Sequence, residues 1–230
     1  MKHSGKQKLP VRCYLLFVTL VIIGLTVFSC SRGRTSTRTP GTKPVPEHTV
    51  YKGLPENASP DLKKFIDAAV AQAGVTTGYD PSYVRLDYPG GDVPKETGVC
   101  TDVVVRAFRG VGLDLQKEIH EDMSQAFDAY PKRWGLARAD SNIDHRRVPN
   151  LMTYLARKGK SVPITDNPND YRPGDVVTWD LGGGVDHVGI VTDMSFTPGG
   201  ACLIVHNIGA GTRVEDVLFD WKITGHYRYF

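Results

Sequence analysis

The sequence predicts an α+β domain in which N-terminal helices pack on a C-terminal antiparallel β-sheet. Two observations carry that expectation. Between Ser59 and Gly159 apolar residues recur at helical spacing, in stretches bounded by capping residues, glycine and proline. From Val162 onward the signals change to short β-branched or aromatic runs separated by Gly, Pro and Asp. A third observation bounds the domain, because the chain ahead of Tyr51 has a different composition.

That leading stretch has two parts. Lys2, Lys6, Lys8 and Arg12 stand without an acid, and the apolar run CYLLFVTLVIIGLTVFSC follows from Cys13 to Cys30. A basic start before an apolar run marks residues 1–30 as an export signal or a membrane anchor. Ser29 before Cys30 resembles the end of a bacterial lipoprotein signal, which implies that Cys30 is the lipidated first residue of the mature chain. An uncleaved membrane helix and ordinary secretion are the alternatives. Each places the rest of the chain outside the cytoplasm. The expected location is the cell envelope, on the periplasmic side and anchored to the membrane. Residues 31–50 are rich in Ser, Thr, Pro, Gly and basic residues and read as a flexible linker. Residues 51–230 are long enough for one domain with its own core. The formal charge of +3 is largely an effect of the leading stretch, so the domain is near neutral or slightly acidic. With no basic groove or aromatic ladder, nucleic acid is not an expected partner. The chain reads as a monomer by default.

Within the domain, SPDLKKFIDAAVAQAG offers Ser59 as N-cap, Pro60 at the first helical position and Gly74 as a stop. The stretch TGVCTDVVVRAFRGVG forms a second helix. Its apolar face holds Val99, Val103, Val104, Ala107, Phe108 and Val111, with Arg106 and Arg109 on another. DLQKEIHEDMSQAFDAYP and DHRRVPNLMTYLARKG supply two more helices. The segments DVVTWDL, DHVGIVTDM, ACLIVHNIG, EDVLF and GHYRYF then read as strands of an antiparallel meander.

Cys100 sits in the first turn of the second helix, where unpaired N–H groups and the helix dipole favour a thiolate. It also reads as a small buried hydrophobe, or as the disulfide partner of Cys202, the other cysteine of the domain. A catalytic thiol needs a base, and the base an orienting group. His187 opens the strand HVGIVTDM beside the glycine loop LGGGVD, and His206 lies in the apolar strand LIVHN, where a polar side chain needs a partner. Cys100, His187 and His206 thus fit nucleophile, general base and orienter. The same three residue types fit a three-ligand zinc site, the alternative to an expected absence of any cofactor or metal.

The segments GVCTDVVVRAF, YRPGDVVTWDLGGGVDHVGIV and LIVHNIG resemble the NlpC-type cell-wall cysteine peptidases, which share a papain-like core. The resemblance spans Tyr88 to Tyr229. It implies Cys100 as nucleophile, His187 as general base, His206 as orienter, and Tyr88 lining the site. It further implies hydrolysis of an amide bond in peptidoglycan stem peptides or cross-links. A non-catalytic wall-binding module, and an amidase or acyltransferase with another substrate, are the alternatives. Val99 before the cysteine and Thr101-Asp102 after it depart from the usual Asp and Ser-Gly of that family. Asp102 brings a negative charge that opposes thiol ionisation, and it also suits a first helical turn. Tyr88, Asp102, Asp186, Arg146 and Arg147 are the candidate substrate-binding residues. The two arginines are included because guanidinium groups bind carboxylates in plane, although DHRR also reads as a capped helix start with internal ion pairs. HEDM around His120 reads as a solvated helix face.

Overall fold

A computed structural model describes residues 45–230. The expected signal, Cys30 and most of the linker lie outside the described residues. Among the described residues no helix is long and apolar enough to cross a membrane. A short strand β1 (Val50–Tyr51) pairs with Ser195 and Met194, and Val45 packs on the core. Ordered structure therefore begins ahead of Tyr51, inside the stretch that reads as linker.

The helices form where caps and apolar stripes place them. The Ser59 hydroxyl accepts the Leu62 N–H at 3.1 Å and Pro60 fills the first position of α1 (Pro60–Val70), which buries Leu62, Phe65, Ile66 and Ala69. α2 (Cys100–Arg109) packs Phe108 against Phe65 with ring centroids 4.6 Å apart. Arg106 and Arg109 leave its apolar face and pair with Asp92 and Asp114. Asp114 also caps α3 (Leu115–Gln125) by accepting the Gln116 N–H. A 3₁₀ turn at Asp144–Arg146 leads into α4 (Val148–Arg157).

The strands that follow are β2 (Val176–Asp180), β3 (Asp186–Val191), β4 (Met194–Ser195), β5 (Ile204–Asn207), β6 (Thr212–Glu215) and β7 (Lys222–Tyr227). Apart from the β1–β4 pair they build one five-stranded sheet in the order β6-β5-β3-β2-β7, antiparallel throughout. The meander holds through β6. The chain then returns to the far edge, where β7 pairs with β2. EDVLF contributes only Glu215 to a strand. Val217 and Leu218 are buried in the turn beyond it, where the Trp179 indole donates to the Leu218 carbonyl at 2.9 Å.

Alternation along the strands gives the sheet two apolar faces. Val176, Val188, Ile190 and Val205 face the helices, while Val177, Trp179, Val191 and Ile204 join Tyr171 and Leu218 on the other side. Each fully buried side chain of this kind contributes about 2 kcal/mol. Gly189 lets β3 and β5 close: a Cβ there would lie 2.5 Å from Ile204 Cγ2 and 3.2 Å from His206 Cβ. Cys100 belongs to the helix-side cluster and Cys202 to the opposite one, and both are free. The sheet separates the two thiols, which removes the disulfide alternative.

Candidate active site

The start of α2 faces the sheet at β3. Cys100, the first helical residue, is 4% exposed, and its sulfur lies close enough to the backbone N–H of Val188 to feel it. Val99 has no side-chain acceptor to cap the helix. The Asp102 carboxylate compensates by accepting the Val99 N–H at 2.7 Å. Asn207, next after His206, donates to the carbonyls of Gly98 at 3.0 Å and Gly78 at 3.1 Å. One amide thus ties the turn before Cys100 to the end of β5.

The two histidines meet across neighbouring strands. His187 Nε2 lies 2.8 Å from His206 Nδ1, and His206 Nε2 lies 2.9 Å from Glu215 Oε2 on β6. Trp179 and Trp221 wall the pair, with centroids 5.9 and 6.0 Å from the His187 ring. The direction of the hydrogen bonds follows from chemistry. An ionised Glu215 only accepts, so His206 carries its proton on Nε2. A neutral His206 then offers Nδ1 as acceptor, so His187 donates from Nε2. Its Nδ1 is left with a lone pair, the form a general base requires.

Burial sets both charge states. It drives His187 down to about 3, and any positive charge on His206 would lower it further, so the ring is neutral. It pushes the Cys100 thiol up to about 12 against the help of the Val188, Thr101 and Cys100 N–H groups, and Asp102 raises it further. The resting site therefore holds a neutral thiol and a neutral imidazole. The thiolate expected from the helix dipole is not the resting form.

Cys100 opens onto a cavity of about 400 Å³, whose wall includes Tyr79, Tyr83, Trp134, Arg147 and Asp186. The tyrosine facing the thiol is Tyr79, whose hydroxyl is raised to about 12, first by burial and then by Cys100. Tyr88 lies elsewhere, edge-on to His120 at 5.1 Å with its hydroxyl 3.5 Å from Glu121. Asp102 and Arg146 form a buried ion pair at 3.1 Å, and Arg146 also donates to the carbonyls of Ser82 and Asp80, each at 2.9 Å. That pair fastens the segment ahead of the site to α2, and its polar atoms are engaged within the protein. Asp186 pairs with Arg133 at 2.5 Å. Arg147 lies over the Trp134 ring at 4.1 Å. Among the described residues no group of three His, Cys, Asp or Glu is placed to hold a metal ion, so the zinc alternative lacks a ligand set.

The structure thus joins His187 to His206 directly and sets Cys100 against the residue after His187. Sequence reading missed Glu215, Asn207 and Tyr79. The apolar strand that singled out His206 also holds Asn207, a second polar residue in need of a partner. Glu215 carried no comparable signal, because only the register His206↔Arg213 brings that end of β6 alongside.

Residues 66–229 match the model of a family described as a domain of unknown function (DUF1287). The chain is 57% identical over 164 residues to "Uncharacterized protein YijF" of Escherichia coli K12, a match covering 71% of this chain and 80% of that protein. Among solved structures it is similar to "Structure of NlpC1 from Trichomonas vaginalis", with TM-score 0.40 and 12% identity over 76% of this chain. The chain spans 46% of that protein's length.

Proposed function

Because the chain belongs to the DUF1287 family, whose description names no activity, we propose its chemistry from the site: a papain-like cysteine hydrolase that cleaves an amide bond. The observation that carries this reading is the chain His187–His206–Glu215, with links of 2.8 and 2.9 Å, set beside a helix-opening cysteine. Such a chain leaves one basic nitrogen on His187 and holds the ring in place.

In the reaction the Cys100 sulfur bonds to the amide carbonyl carbon while its proton passes to His187 Nδ1. N–H groups at the start of α2, including that of Cys100, are the donors for the oxyanion. The C–N bond then breaks, and His187 returns the proton to the leaving amine. Water attacks the thioester, giving its proton to His187. The products are a carboxylate and the restored thiol. His206 turns its acceptor to the imidazolium that forms on His187, and Glu215 supports it from behind. The signal-like start of the chain supports an envelope location, with an anchor lipidated at Cys30. The substrate proposed on that basis and on the motif resemblance is a peptidoglycan stem peptide or cross-link.

A non-catalytic wall-binding module is the second reading, favoured by one observation: burial keeps the thiol neutral. Digestion of purified peptidoglycan by the full chain, with mass spectrometry of the released fragments, separates the two. The hydrolase reading expects new amine and carboxylate ends that disappear in Cys100→Ala and His187→Ala. Fragments unchanged in Cys100→Ala, or none from the wild type, would overturn it. An amidase or acyltransferase acting elsewhere would leave the wall intact but still form a thioester on Cys100.

A further inference from the structure

The cavity beside Cys100 has one positive charge without a partner. Three charged side chains reach its wall: Arg146, Arg147 and Asp186. Asp102 matches Arg146 at 3.1 Å, and Arg133 matches Asp186 at 2.5 Å. Arg147 has no such match. No carboxylate oxygen among the described residues lies within 4.0 Å of it, and its Nη1, shut off from solvent, has no hydrogen-bond partner. Two acids act on it from a distance, Asp144 and Asp140; Asp140 and the Oδ2 of Asp144 are held by other donors, while Asp144 Oδ1 is buried with no hydrogen bond and lies beyond ion-pair reach of Arg147. Asp140 is held by the Tyr83 hydroxyl and the Asn142 amide, and Asp144 by His120 and the Asp140 N–H. Removing a guanidinium from water without compensation is unfavourable, and burial indeed lowers its proton affinity.

The geometry adds a direction to that charge. The Arg147 Cζ sits over the Trp134 ring, 4.1 Å from its centroid, so the indole covers one side of the guanidinium. Nη1 is closed to solvent, but Nε and Nη2 make no hydrogen bond among the described residues and are not closed off, and that edge, in the wall of a cavity that also receives Cys100, suits a carboxylate approaching in plane. A volume of about 400 Å³ suits a ligand of one or two residues.

We propose that Arg147, seated on Trp134, binds a carboxylate of the substrate next to the scissile amide, so that the site selects acidic peptides. This rests on the hydrolase reading for the meaning of "scissile". The anion site itself does not, and the test separates the two.

The first arm compares alkylation of Cys100 by iodoacetate and by its neutral isostere iodoacetamide, in the full chain in a non-ionic detergent. Peptide mass spectrometry resolves Cys100 from the other cysteines. Arg147→Met should lower the iodoacetate-to-iodoacetamide rate ratio about tenfold, the ordinary worth of one charge-assisted hydrogen bond. Arg147→Lys, which keeps the charge but loses the fork, should fall between. Arg138→Met, which deletes an equal charge from the neighbouring loop, should leave the ratio at the wild-type value. A ratio unmoved by Arg147→Met, or moved equally by Arg138→Met, overturns the inference and leaves the hydrolase reading standing. The second arm needs no reactive thiol. Tryptophan fluorescence of Cys100→Ala is titrated with acetyl-Ala-Glu-amide and acetyl-Ala-Gln-amide, each in both configurations of the second residue. A saturable change with a Glu peptide, absent with its Gln counterpart and lost in Arg147→Met or Trp134→Phe, supports the anion site even if Cys100 proves inert. No difference between the Glu and Gln peptides up to tens of millimolar overturns it.

Discussion

His187 is held neutral by burial, and that has a measurable effect on stability. In the unfolded chain its ring titrates near 6.5, and in the folded protein it is driven down to about 3. The unfolded state therefore binds a proton first as pH falls. The folded-state advantage is complete above the unfolded value and is lost as pH falls from there toward the folded one. The gap is worth on the order of 5 kcal/mol once both states have titrated, and about half of that has gone by about pH 4.5. His145, buried in the turn before α4 and lowered to about 4 by burial and by Arg109, loses a similar ~2 kcal/mol over that interval. Urea unfolding of the full chain, followed by tryptophan fluorescence at about pH 7 and about pH 4.5, should thus show a drop of ~5 kcal/mol, a large part of an ordinary domain's stability. His187→Gln should roughly halve that drop. The comparison is between pH values within each protein, so the cost of the substitution itself cancels. A wild type equally stable at both pH values, or a His187→Gln variant as acid-sensitive as the wild type, would refute the buried neutral imidazole.

Three further outcomes follow from the same geometry. Glu215→Ala should lower kcat about tenfold by releasing the His206 tautomer, while Glu215→Gln, whose amide oxygen still accepts from Nε2, should lose less; the reverse order in a steady-state assay would contradict the hydrogen-bond directions. Arg146→Met leaves the Asp102 carboxylate buried without its cation, held only by the Val99 N–H, and should cost ~3–5 kcal/mol in urea unfolding, and adding Asp102→Asn should restore part of it. The kcat/KM profile should be level between about pH 5 and about pH 9, because neither the thiol nor the imidazole titrates there, and a bell centred near neutrality would point to an ion pair instead.

Much of this arrangement was legible because local signals and packing agree. Ser59, Pro60 and the apolar stripe fix α1 by rules that act within a few residues. His206 is exposed to view by its apolar strand, and the bond to His187 satisfies it as a buried polar group must be satisfied. What escaped depends on partners far apart in the chain. β7 pairs with β2 rather than β6, a choice that no local pattern records. Arg146 and Arg147 are alike in sequence, yet one is clamped by Asp102 and the carbonyls of residues 80 and 82 while the other turns to Trp134. Tyr79 rather than Tyr88 lines the cavity because Asn207 draws the Gly78 carbonyl to the end of β5.

The charge state of Cys100 shows why position on a helix alone misleads. A helix N-terminus stabilises an anion by ~0.3–1 kcal/mol, and by about 2 kcal/mol at most when partly buried. That is worth about one pH unit of ionisation. Burial acts the other way, and the net result is a thiol raised from 9.0 to about 12, with Asp102 contributing to the rise. Desolvation outweighs the dipole because α2 begins inside the core, under β3, and not at the surface. Asp102 cannot be relieved of its charge without cost, since the same carboxylate caps α2 and anchors Arg146. The fold therefore secures the start of the helix with a group that opposes a thiolate. A nucleophile built this way cannot rely on being pre-ionised. On the hydrolase reading proposed above, it would lose its proton as it attacks, to a neutral base held in one tautomer, the part that reading gives to the His187–His206–Glu215 chain.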